Sequence, residues 1–260
     1  MIGKNILVFG GSGQIGRHLI RRLTKNNHLV TVVTRNLHQK GAVLKTQGNP
    51  GYLEVIEANI FDENQLNNLF ENKDVCINLI GILYEKGNNT FKNIHDNFPT
   101  IVSKICSKKK LKQFIHISAL GIEKAKDSNY AISKLNGEKN IFNNFSKSTI
   151  LRPSLVYSVD DNFTTNMMTL LGILPFFPLY YEGKTKFSPI HVSEMADIIL
   201  TIHVILAVGL IIFVLLQRSD GGALGGLGGG MSLSGIMGSQ GSTNFLTKLT
   251  AIFAALFMCT

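Results

Sequence analysis

Hydrophobic and polar positions repeat with two periods from the N-terminus as far as Leu200. Asn5–Phe9 (NILVF) is a short apolar run that meets glycine at once. Gln14–Leu23 then carries Ile15, Leu19, Ile20 and Leu23 at helical spacing. Leu29–Val33 is β-branched and strand-like, and Leu53–Ile56 repeats that pattern. Asn64–Phe70 places Leu66, Leu69 and Phe70 on one face of a short helix. Val75–Ile80 reads as a buried strand, Thr100–Cys106 as a helix and Gln113–Ile117 as a strand. Tyr130–Phe142 reads as a long amphipathic helix, and Thr149–Val156 closes the series. Strands alternating with helices of this length predict an α/β fold, a doubly wound parallel sheet covered on both faces.

Near Leu200 the pattern changes. Within Ile198–Leu216 only Thr201, His203 and Gly209 are not strongly apolar, and Arg218 follows as a flanking anchor. About 20 such residues span a bilayer as a helix, so a transmembrane segment is expected here. Ten glycines then fall within Gly221–Gly241; such a stretch lacks the apolar surface to offset its ordering entropy and reads as a loop. A second apolar run, ending AIFAALFMCT, starts at Leu249 and is too short to span, so a helical hairpin cut within its second helix is expected. The predicted division is 1–197, 198–216, 217–245 and 246–260. Met167–Tyr181 is also apolar, but Pro175 and Pro178 break it, and it reads as the wall or lid of a substrate pocket.

Charge sharpens that division. Residues 1–200 hold 24 of the 26 Lys+Arg and 16 of the 17 Asp+Glu, so the net charge of +9 is mostly the surface of the first part. The lysines are scattered, and their one cluster, Lys108–Lys110 with Lys112, reads as a solvated helix end. Without interleaved aromatics, no nucleic-acid partner is predicted. Cys76, Cys106 and Cys259 show neither disulfide nor metal-ligand spacing, which favours a reducing compartment, with Cys76 a buried small hydrophobe. His95, His116 and His191 likewise show no metal spacing, and no metal site is predicted. The apolar run Ile6–Phe9 is too short for the core of a signal peptide.

The first strand-to-helix junction carries the chemistry. Gly10, Gly11, Ser12, Gly13, Gln14, Ile15 and Gly16 follow a strand and open a helix, the context in which a glycine loop brings backbone and helix N–H donors to a pyrophosphate. Dinucleotide binding is the expectation. The second strand ends at Arg35, at the distance from Gly16 where NAD-preferring folds place an acid, and no acid lies near it in the sequence. A carboxylate there would accept from a ribose 2′-hydroxyl, whereas a guanidinium pairs with a 2′-phosphate, so NADP(H) is favoured over NAD(H).

The spacing Gly10, Gly13, Gly16, the segment Asn78-Leu79-Ile80-Gly81, and Tyr130-Ala131-Ile132-Ser133-Lys134 resemble the GxxGxxG, NxxG and YxxxK motifs of the short-chain dehydrogenase/reductase superfamily. HISALG (116–121), YAISKLNGEK (130–139), TILRPSLVYSVDDNF (149–163) and FSPIHVSEMADII (187–199) resemble an atypical branch. That branch holds the NADPH-binding accessory subunit of respiratory complex I, its bacterial relatives and epimerase-like proteins. The resemblance covers about residues 3–199 and implies a Rossmann-like fold. It also implies cofactor contacts at Asn59, Ile60, Asn78 and Gly81 and at Tyr130 and Lys134. In active members the Tyr is the general acid/base, the Lys lowers its pKa and holds the nicotinamide ribose, and a Ser or Thr polarises the carbonyl. Tyr130, Lys134 and Ser118 are the matching residues. Two positions depart from the family: Ser118 falls one position early with Ala119 where the hydroxyl belongs, and the GDxxD segment reads Ala58-Asn59-Ile60-Phe61-Asp62. The alternative role is a structural NADPH binder without turnover, with a respiratory complex as its partner.

VLLQRSDGGALGG (214–226) and NFLTKLTAIFAALF (244–257) resemble SecG, the small two-helix subunit of the bacterial SecYEG protein-export channel, over about residues 195–260. That resemblance implies no enzymatic role. It implies the SecY/SecE channel and its motor ATPase as partners, and a multi-pass place in the bacterial inner membrane. Arg218 and Lys248 beside the loop would put the loop in the cytoplasm and the nucleotide-binding part outside. That part is chemically suited to the cytoplasm, so the expectation is a join of two genes near Met195–Leu200.

Overall fold

The computed structural model describes residues 3–158 and 189–199, together with 161, 165–166, 168–169 and 172. Six strands, β1 (Asn5–Phe9), β2 (Leu29–Thr34), β3 (Leu53–Glu57), β4 (Val75–Asn78), β5 (Gln113–Ile117) and β6 (Ser148–Leu151), form one sheet. Its order is β3-β2-β1-β4-β5-β6 and every pairing is parallel. The helices are α1 (Gln14–Lys25), α2 (Leu37–Lys45), α3 (Glu63–Leu69), α4 (Phe98–Lys108) and α5 (Asn129–Asn144). The predicted Rossmann-like architecture is the one observed. Its order reverses between β1 and β4, so the crevice for a ligand opens above the C-terminal ends of those two strands.

The sheet forms because its strands satisfy two apolar layers at once. Along β1, Leu7 and Phe9 join one core with Phe70, Phe98 and Phe114. Ile6 and Val8 join the other with Leu19, Ile20 and Leu23 of α1. That is the period-two alternation of a pleated strand buried on both faces. Phe9 meets the Phe98 ring edge-on, with centroids 5.2 Å apart, and burying each such side chain contributes roughly 1.5–3 kcal/mol. Cys76 is fully buried, as expected, and Cys106 lies buried in the same core.

The structure departs from the periodic reading at four places. α2 carries no clear apolar stripe and escapes it; Asn36 caps this helix by accepting the Gln39 N–H. A π-helical turn, Lys92–Asn97, precedes α4, which begins at Phe98 rather than Thr100. The run Thr149–Val156 is two strands, because Pro153 has no N–H to give a ladder. β6 ends at Leu151, and β7 (Val156–Tyr157) pairs instead with β8 (Ile190–His191) in a separate parallel pair. The lysine cluster does end a helix, but Lys109 pairs with Glu71 and Lys112 with Asp74.

Residues 192–199 are helical. Met195, Ala196 and Ile199 pack into the α1 side of the core, and Asp197 pairs with Arg22 at 3.2 Å. Among the described residues no helix is long and apolar enough to cross a membrane. The expected segments 198–216, 217–245 and 246–260 lie outside the described residues, apart from 198–199. Most of the expected pocket wall 167–181 does too.

Candidate functional site

The glycine loop is shaped by two positions that exclude side chains. Gly10 takes φ +79°, and a Cβ there would sit 3.0 Å from the Ile80 nitrogen on the neighbouring β4 loop. At Gly16 a Cβ would lie 2.5 Å from the Gly11 Cα and 2.6 Å from the Gly10 oxygen, so α1 rests directly on the turn. Gly13 is the N-cap of α1; it supplies no side-chain cap, and the first turn holds no acid. The unpaired N–H groups of that turn are a ready anion site. Below them opens a cleft of about 500 Å³.

Of the residues expected to contact a cofactor, Gly10, Ser12, Gly13, Arg35, Ile60 and Gly81 line this cleft. Arg35 also borders an adjoining hollow of about 530 Å³ with Asn59 and Gln65. Gly11, Ile15 and Gly16 do not line the cleft. The Gln14 side chain turns away to donate to Ser158 Oγ at 3.0 Å and to the Val156 oxygen, tying α1 to β7. Asn78 is fully buried: its Oδ1 accepts the Ile80 N–H and its Nδ2 donates to His116 Nδ1 at 3.1 Å. It therefore shapes the wall Leu79–Ile82 without lining the cleft. Asn59 accepts the Phe61 N–H, and Asp62, the acid retained from the family's segment, caps α3. Lys40 on α2 lines the cleft and reaches Ser12 Oγ at 3.5 Å. The sequence periodicity does not mark α2, and so does not point to Lys40.

Tyr130 and Lys134 stand one turn apart on α5, which Ser128 caps by accepting the Ala131 N–H. Lys134 is 4% exposed, and its ammonium donates to the Ile117 oxygen at 3.2 Å. The same ammonium lies 5.7 Å from the centroid of the Tyr130 ring. Burial lowers Lys134 to about 8, with Glu138 pulling the other way. Burial also raises the Tyr130 phenol above its ordinary value. Gly81 joins the two halves of the site, since a Cβ there would lie 3.6 Å from Lys134 Nζ. Ser118 is buried, and its Oγ finds no hydrogen-bond partner among the described residues. It does not line the cleft.

A histidine outside the motifs, His95, stands beside this pair. The π-helical turn buries His95, whose ring stacks on Phe91 and meets Tyr130 edge-on at 5.1 Å. His95 Nε2 accepts the Ile82 N–H at 3.1 Å, so Nδ1 carries the proton and donates to Ser133 Oγ. The cleft wall and α5 are thus joined through one ring. Gly137 makes the packing possible: a Cβ there would stand 1.9 Å from the His95 oxygen. Gly137→Ala is expected to lower stability by about 3 kcal/mol, and the melting temperature by roughly 6–12 °C, read in a thermal melt. Further along α5, Arg152 forks onto buried Glu138 and also pairs with Glu123. His191 donates to or accepts from Ser193 Oγ at 2.6 Å and meets Tyr157 edge-on, a structural role.

Two protein-family models match the chain. That of the NAD dependent epimerase/dehydratase family covers residues 6–205, and that of the preprotein translocase SecG subunit covers residues 196–260. The mitochondrial NADH-ubiquinone oxidoreductase 40 kDa subunit of Neurospora crassa is 25% identical over 195 residues, 75% of this chain and 51% of its own. The chain spans about half the length of such curated mitochondrial relatives. The protein-export membrane protein SecG of Rickettsia bellii is 41% identical over 64 residues, 25% of this chain and 63% of its own. Among solved structures, the Bordetella bronchiseptica enzyme WbmH in complex with NAD+ superimposes with a TM-score of 0.60 at 17% identity. That match covers 76% of this chain and 72% of WbmH.

Proposed function

This chain belongs to the NAD dependent epimerase/dehydratase family through residues 6–205, and on that premise we propose that its cleft holds NADP(H) as a bound nucleotide without turnover. The observation that carries the reading is the helix start at Gly13, which is uncapped, free of acids and seated on glycines above the cleft. Arg35 and Lys40 at the rim supply two cations for a 2′-phosphate. Three features weigh against turnover. Burial raises the Tyr130 phenol, where a general acid/base needs it lowered. The Lys134 ammonium is engaged by the Ile117 oxygen. Ser118 is buried, with Ala119 at the family's hydroxyl position.

A second reading is an NADP(H)-dependent oxidoreductase or epimerase-type enzyme. The placement of Tyr130 and Lys134 one turn apart beside Gly81 favours it. Bound dinucleotide would supply the hydride; Tyr130 would move the proton, Lys134 would hold the ribose, and Ser118 would orient the carbonyl. Titrating the full chain with NADPH and NADH tests both. Arg35→Glu is expected to weaken NADPH at least tenfold while leaving NADH within threefold. Equal loss of both would remove the preference for NADP(H). Turnover on a carbonyl panel that Tyr130→Phe abolishes, with binding retained, selects the enzyme.

The second matched segment, 196–260, carries its own part of the proposal. Its likeness to SecG supports a place in the bacterial inner membrane beside SecY/SecE and the motor ATPase. The likeness of residues in the α/β part to mitochondrial NADH-ubiquinone oxidoreductase subunits supports a respiratory-complex partner for that part.

A further inference from the structure

The sequence around Arg35 holds no acid, but the parallel register brings one there from the next strand. β2 and β3 pair with Thr34 opposite Glu57. The last residue of β3 therefore stands beside the residue that precedes Arg35. Glu57 Oε2 accepts the Leu37 N–H at 2.7 Å, at the first residue of α2. Glu57 and Arg35 border one hollow, with Ala58, Asn59 and Gln65 around them. In this fold an acid at the end of the second strand accepts from the ribose 2′-hydroxyl, and a cation there takes the 2′-phosphate. Here both charges border the hollow at that corner, the cation just past the strand's own end and the acid on its neighbour.

We propose that Glu57 is a specificity-determining residue that holds the cleft between NADP(H) and NAD(H). Its carboxylate takes an N–H that a 2′-phosphate would otherwise use, and it repels that phosphate at close range. Its second oxygen is an acceptor for a ribose hydroxyl. Arg35 and Lys40 pull the other way, so selectivity is a balance of opposed charges set by β2–β3 register. The proposal rests on the dinucleotide reading above and specifies which form that cleft takes.

The test measures dissociation constants of the full chain for NADPH and NADH, at low and at moderate salt. Glu57→Gln keeps an acceptor for the Leu37 N–H and removes only the charge. It is expected to tighten NADPH about fivefold, to weaken NADH about twofold, and to show a smaller effect at the higher salt. Glu57→Asp keeps the charge and is expected to leave the ratio of the two within twofold of wild type. A ratio unchanged by Glu57→Gln, or moved as far by Glu57→Asp, overturns the proposal while dinucleotide binding stands. Wild-type protein that binds neither dinucleotide overturns the underlying reading and this proposal with it.

Discussion

Gly16→Val is expected to abolish dinucleotide binding, weakening it at least a hundredfold, or about 2.7 kcal/mol. The effect is steric in origin and electrostatic in consequence. A Cβ at this position would fall 2.5 Å from the Gly11 Cα and 2.6 Å from the Gly10 oxygen. These are backbone atoms that no rotamer change can move. Either the turn opens or α1 lifts. Lifting α1 is resisted by Leu19, Ile20 and Leu23, which are at most 2% exposed and fixed against the sheet. Opening the turn disturbs Gly10, which has close neighbours of its own in Leu79 and Ile80. Both routes displace the first-turn N–H groups, whose value to a pyrophosphate depends on their shared direction. Gly13→Ala is the comparison, because its Cβ would meet nothing nearer than the Gly10 oxygen at 3.4 Å. That variant should melt like wild type. Fluorescence titration of folded Gly16→Val showing affinity within threefold of wild type would refute the assignment of the loop.

This loop was legible because everything that makes it is local: a strand, a tight turn and a helix start in one short stretch of chain. The same holds for Tyr130 and Lys134, four apart on one helix. The features that escaped depend on pairing between distant segments. Glu57 lies far beyond Arg35 along the chain, with α2 between them, and only the β2–β3 register makes them neighbours. Lys40 needs α2, where Gly41 and Leu44 are the buried residues and Val43 is exposed, too thin a stripe for periodicity to reveal. Gln14 belongs to the loop by sequence, yet its side chain serves β7, far along the chain. His95 and His116 sit in unrelated sequence contexts. A π-helical turn and strand β5 bring them to the same lysine.

Those two histidines predict marked acid lability. His95 and His116 are each 1% exposed. Burial, followed by the charge of Lys134 and, for His116, by His95 as well, lowers each to about 3. In the unfolded chain each titrates near 6.5. The folded state therefore refuses protons that the unfolded chain accepts, so stability is full above pH 6.5 and falls as pH drops towards 3. With two rings the slope approaches about 2.7 kcal/mol per pH unit in mid-window, set against a total of roughly 5–15 kcal/mol for a domain. Half-buried His28, lowered by burial beside Lys4, adds in the same direction. The lowered carboxylate of Asp74 acts only at more acidic pH. The geometry also says where unfolding starts. His116 Nδ1 accepts from Asn78, which holds the Ile80 N–H, and His95 Nε2 accepts the Ile82 N–H itself. Protonating either acceptor breaks a bond that supports the same wall of the cleft. In the folded protein that protonation waits until pH nears 3, so the two rings should leave nucleotide affinity unchanged between pH 6.5 and 5, and saturating nucleotide should shift the acid midpoint downwards. Urea melts from pH 7 to 4.5 read the slope. If it is flat, or survives undiminished in a His95→Phe, His116→Phe double variant that folds at pH 7, the two rings are not its source.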